Sequence, residues 1–176
     1  MADGLPRLGL GFAALMAGSA MALSLSAEEP VSARAAPVNG MTDPALARSD
    51  YIEQCGGCHG VTGSSAPAQV PELRGRVGYF LCTPETRAYI LRLPNVAHSR
   101  IRDNQQLAEL MNYVVYVLGK DSVPQGRAPF TGAEVARERQ NALSAASLTQ
   151  ERARNVAIAV SQCNAPATLG EMYDPK

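Results

Sequence analysis

Tryptophan is absent from this chain of 176 residues, and three Phe with six Tyr bring the aromatic share to only 5%. Histidine is scarce too, at two residues, which excludes any site built from several imidazoles. Net charge is lacking, since 16 Lys and Arg balance 16 Asp and Glu. A nucleic-acid binder needs a basic excess to neutralise phosphates, so that class is excluded. A hydrophobic share of 46% equally excludes an acidic disordered chain. No stretch alternates apolar and polar residues convincingly, so no strand is expected. What remains, at 18.6 kDa, is the composition of one small helical domain rich in Ala and Leu, with additions at its ends. With so few large aromatics, a bulky apolar cofactor would supply interior surface that the side chains do not.

Leu8 to Leu25 carries no charge and follows Arg7. Residues 1–27 therefore read as a cleaved export signal, with cleavage after Ala22 or Ala27 and Ala20-Met21-Ala22 fitting the small-x-small rule better. A retained membrane anchor is the alternative. Loss of this segment removes Asp3 and Arg7 and leaves the rest neutral, facing the periplasm or its equivalent. Residues 28–41, with Pro30, Pro37 and Gly40, form a linker expected to be mobile.

Asp43 and Pro44 suit the cap and first position of a helix running to Cys55. Small residues and glycine make a loop of Gly60 to Val70. Thr83-Pro84-Glu85 opens a second helix that Pro94 stops. A third runs from Asn104 to Leu118, with Leu107, Leu110, Met111, Val114, Val115, Val117 and Leu118 as a broad apolar face and Gly119 at its end. Thr131 and Glu134 have capping-box spacing at the start of a fourth helix, and a fifth covers Thr149 to Ser161. The expected fold class is all-α.

Cys55-Gly56-Gly57-Cys58-His59 carries the chemistry. Two thiols on one helical turn can add to the two vinyl groups of a haem, which puts the adjacent imidazole under the iron. A thioredoxin-like thiol pair is the first rival, but it needs a preceding buried strand within a βαβ pattern. A zinc site drawing on Cys82, Cys163 or His98 is the second, but it lacks another close pair of ligands. A Cys55–Cys58 disulfide would be strained by its short loop.

With Gly60 after His59, and Pro71-Glu72-Leu73-Arg74-Gly75 downstream, the chain resembles the monohaem class I cytochromes c. The resemblance covers Pro44 to Gly119, and it implies a cytochrome c-like helical domain over residues 42–120 around one covalent haem c. It also implies that the Pro71 carbonyl accepts a hydrogen bond from His59, that Leu73 packs on the haem and that Gly75 makes a tight turn. Tyr113 and Tyr116 are its candidates for aromatic packing across the first helix. Residues 121–176 are a helical C-terminal extension outside the resemblance, expected either to wrap the core or to dock onto a larger redox enzyme.

The family usually supplies a methionine to the iron's second face, from the loop before the last core helix. Here Pro94 to Arg102 holds no methionine but contains His98, so the expected metal ligands are His59 and His98. Met111 and an open sixth site are the alternatives, while Met41 and Met172 lie in segments expected to be mobile. Arg74, Arg76 and Tyr79, with Arg100 and Arg102, are candidates to pair with the haem propionates. Cys82 and Cys163, left over in an oxidising compartment, are expected to form a disulfide.

The expected function is single-electron transfer in the periplasm, with redox proteins as partners and a dehydrogenase as one such partner. The chain itself is expected not to be an enzyme. It would meet no nucleic acid, and a membrane only if the N-terminal segment is retained. A haem sensor or peroxidase-like protein with an open iron site is the alternative.

Overall fold

The computed structural model describes residues 38–65, 68–144 and 146–171. The export signal expected at 1–27, most of the linker and Met172 lie outside the described residues. The fold is helical, and the one strand-like feature among the described residues is an isolated bridge between Val38 and Met41. No helix among these residues is long and apolar enough to cross a membrane.

Local chemistry sets where each helix starts. Asp43 caps α1 (Pro44–Gln54), its carboxylate accepting from the Ala45 and Leu46 amides at 3.1 and 2.9 Å. The single turn α2 (Gly56–His59) follows directly. A 3₁₀ turn spans Val77–Leu81, and Thr83 with Thr86 forms a reciprocal capping box at α3 (Pro84–Arg92). Pro94 forces Leu93 into an extended conformation, ending α3, and then opens the short α4 (Pro94–Ala97). Asp103 caps α5 (Asn104–Asn112), which continues as a widened π turn over Tyr113–Leu118.

The extension adds α6 (Gly132–Arg139), α7 (Leu148–Gln162) and a 3₁₀ turn at Ala167–Gly170. Thr131 caps α6 by accepting from the Glu134 amide at 3.2 Å, but the expected reciprocal half of the box is missing. The Glu134 carboxylate is instead gripped by Arg87 at 2.6 and 2.8 Å, because a bidentate guanidinium is the stronger partner.

The apolar face of α5 and its π turn forms the centre. Leu107, Leu110, Met111, Val114, Val115 and Leu118 are all buried, each Leu or Val contributing about 1.5–3 kcal/mol by leaving water. Ala47 and Tyr51 of α1 pack on this face, with the Tyr51 and Tyr113 rings 5.5 Å apart. Tyr113 therefore makes the expected crossing, whereas Tyr116 turns away and its hydroxyl donates to the Arg127 carbonyl at 2.7 Å.

Gly119 does end the helix, but close approach and not a left-handed φ requires it. A Cβ there would lie 2.2 Å from the Val115 oxygen and 2.9 Å from the Gly78 nitrogen.

One expectation about the ends changes, and one of two alternatives is realised. The linker expected to be mobile ends in an ordered residue, since Met41 is 2% exposed in the core, held by a tight turn over Val38 to Met41. The extension wraps the helical core, adding Phe130, Val135, Val156 and Leu169 to the same cluster. Asn112, fully buried, clasps the Phe130 backbone through its amide oxygen and nitrogen at 2.7 and 3.0 Å. Cys82 and Cys163 form the expected disulfide.

Candidate functional site

The site is built where α1 gives way to α2. Cys55 leaves the α1 geometry, and its carbonyl accepts from the Cys58 and His59 amides at 3.2 and 3.0 Å. The two thiols thus sit on one turn; Cys55 is half-buried, Cys58 is exposed, and both are free of any disulfide. Burial first, and then the charge of Cys58, push the Cys55 thiol up to about 11. That shift disfavours Cys55 itself as the attacking thiolate of a redox-active pair.

Gly60 must be glycine, because its φ is 69° and a Cβ would sit 2.2 Å from the Ser64 oxygen. Its carbonyl accepts from the Tyr51 hydroxyl at 2.5 Å. That phenol is fully buried and pushed up to about 12, by burial first and then by the neighbouring Cys55 and Tyr113, so it stays a donor. Tyr51 thereby anchors the end of the thiol-bearing turn to the core.

His59 Nδ1 lies 3.0 Å from the Pro71 carbonyl oxygen. A carbonyl only accepts, so Nδ1 carries the proton and the lone pair of the neutral ring is on Nε2. Burial holds the imidazole below its ordinary range, against the raising influence of the Pro71 carbonyl and the Glu72 carboxylate. The ring is therefore oriented and neutral, which is what a metal ligand requires.

The Pro71 carbonyl is itself fixed. Ser65, fully buried, donates its hydroxyl to it at 2.8 Å. Glu72 accepts from the Ser64 hydroxyl at 3.1 Å and the Ser65 amide at 3.2 Å. The Gly63 carbonyl takes the Leu73 and Arg74 amides at 3.0 and 3.1 Å, and Gly75, with φ 65°, donates to the Leu118 carbonyl at 2.8 Å. Sequence reading missed the roles of Tyr51, Ser65 and Glu72, since each depends on which carbonyl or amide the loop brings to it.

The remaining candidates are placed unevenly. Leu73 is half-buried and packs on the core, and Tyr79 is half-buried in the 3₁₀ turn. Arg74 spends its Nε on the Thr62 carbonyl at 3.1 Å, and Arg76 donates to the Thr168 carbonyl. Arg100 and Arg102 are exposed. His98 is exposed at the C-terminal cap of α4, while Met111 is 4% exposed in the core.

Among the described residues, no three His, Cys, Asp or Glu side chains gather as a metal cage. The donor set of α2 instead suits a metal that arrives inside a macrocycle. Two unpaired thiols are available for thioether links, and one imidazole is oriented for an axial position. Cys55, Cys58 and His59 are thus the residues that could hold a haem.

Against known protein families, curated proteins and solved structures, nothing matches this chain.

Proposed function

We propose that this chain is a c-type cytochrome of the class I kind, carrying one haem c on Cys55 and Cys58 with His59 as axial ligand, and that it passes single electrons outside the cytoplasm. The observation that carries this reading is the His59–Pro71 hydrogen bond at 3.0 Å, which leaves Nε2 as the free donor beside two unpaired thiols on the same turn. A bound haem supplies the one-electron ferric–ferrous couple, and the protein tunes its potential and access.

The chain's own residues have distinct parts in this role. Cys55 and Cys58 tether the macrocycle, and Ser65 and Pro71 orient the His59 ring. Leu73 would offer apolar surface to the macrocycle, and His98 would be the second protein ligand to its iron. An imidazole in that position lowers the potential relative to methionine. Arg74, Arg76 and Tyr79 are the propionate partners in this reading, Arg74 and Arg76 each already holding a backbone carbonyl. The Cys82–Cys163 disulfide supports an oxidising compartment such as the periplasm. With no net charge, docking to redox proteins, a dehydrogenase among them, rests on local patches more than on long-range steering.

A second reading, a sensor or peroxidase-like protein with an open sixth site, draws on the exposure of His98 and the core position of Met111. Expression in a cytochrome-maturing host tests both. The expected product is a red protein heavier than its amino acids, low-spin in the ferric state, with Cys58→Ser losing one thioether link. A colourless chain of unmodified mass overturns the proposal, and rapid tight carbon monoxide binding to the reduced wild type favours the second reading.

A further inference from the structure

Arg139, the last residue of α6, spends its guanidinium on one short segment of chain. Nε donates to the Ala97 carbonyl at 2.9 Å, Nη2 to the Ser99 carbonyl at 3.1 Å, and Nη1 to the Ile101 carbonyl at 3.1 Å and to Asn104 Oδ1 at 3.0 Å. The three carbonyls alternate along the chain and bracket His98. The residues that supply them, Ala97, Ser99 and Ile101, are buried, while His98 and Arg100 between them are exposed. One cation thus gathers the backbone on one side of the loop and leaves the His98 side chain on the other.

The position of Arg139 is itself set. Glu138, 5% exposed, pairs with Arg92 on α3, and Glu134 pairs with Arg87 on the same helix. The Leu143 amide, just past α6, donates to the Arg92 carbonyl at 2.8 Å. These contacts lock α6 against α3, so the guanidinium meets the loop from a rigid element. A planar fork suits this role, because its donors diverge in fixed directions toward several carbonyls, which a lysine cannot reproduce.

We propose that Arg139 is a positioning residue for the second axial ligand: it holds the 97–104 loop so that His98 stays on the iron and the sixth position stays closed. This rests on the haem reading above. It also gives the extension a definite task, since Arg139 belongs to it.

The test uses the full-length holoprotein and its Arg139→Gln and Arg139→Lys variants. Both are expected to keep covalent haem and wild-type helicity. In Arg139→Gln, carbon monoxide association with the ferrous form should rise roughly tenfold or more, since losing even one of the four charge-assisted hydrogen bonds implies that much, and the ferric spectrum should gain high-spin character. Arg139→Lys should move the same way by a smaller factor. A merely structural role would lower the denaturation midpoint and leave the carbon monoxide rate and spin state alone. Holo, low-spin wild type with variants at the wild-type rate overturns this proposal only. A His98→Ala protein with an unchanged low-spin spectrum removes His98 from the iron and overturns it as well. A wild-type chain without haem overturns the parent reading and this one with it.

Discussion

At His59 one hydrogen bond selects which ring nitrogen can meet a metal, and the Pro71 carbonyl that makes it is braced in turn by buried Ser65. Arg152 on α7 is the opposite case. It is 8% exposed and donates through Nη2 to the Leu169 carbonyl at 2.8 Å, yet Nε and Nη1 are buried with no partner. No carboxylate pairs with it among the described residues, and burial followed by Arg76 pulls its ionisation down, against the raising influence of Tyr89. Burying an unpaired charge is costly, and apolar replacements of similar volume are often neutral or stabilising. Arg152→Met is therefore expected to leave the urea midpoint unchanged or raise it. A fall in unfolding free energy of more than about 2 kcal/mol would overturn the view that this buried charge is a cost.

At the scale of elements, α6 is riveted to α3 by charge. Burial works to raise the Glu138 carboxyl, but hydrogen bonds from Arg92 and Arg137 outweigh it and hold the group below its ordinary 4.5. A carboxyl depressed in the folded state contributes stability above its unfolded value, and that contribution is lost as pH falls through the folded value. Glu138→Gln should thus destabilise the protein at pH 7, and the gap to wild type should close as pH falls below 4.5. Denaturation midpoints of both proteins across that range check it, and a gap that persists in acid rejects the ion pair as its cause. The helix starts at Asp43 and Thr83 were legible in the chain, because a capping side chain and its amide are neighbours. The use of Glu134 was not, because Arg87 reaches it from 47 residues away.

For the molecule as a whole, the disulfide between Cys82 and Cys163 closes a loop of 81 residues and ties α7 back to the segment before α3. Chain entropy credits a loop of that length with about 4–5 kcal/mol. The Cys82→Ala/Cys163→Ala double variant is expected to lose most of that in chemical denaturation, and a loss under about 1 kcal/mol would mean that native packing already restrains the extension. That packing is extensive: Phe130, Val135 and Leu169 are buried in the same core as α1 and α5.

The helical class, the capped starts and the thiol–thiol–imidazole turn were determined by the amino-acid order alone, since each is a pattern within a few residues. The burial of Met41, the divergence of Tyr113 from Tyr116 and the grip of Arg139 on the His98 loop were decided only by tertiary structure. Each of these depends on partners distant in the chain, and local spacing carries no information about which surfaces meet when the helices pack.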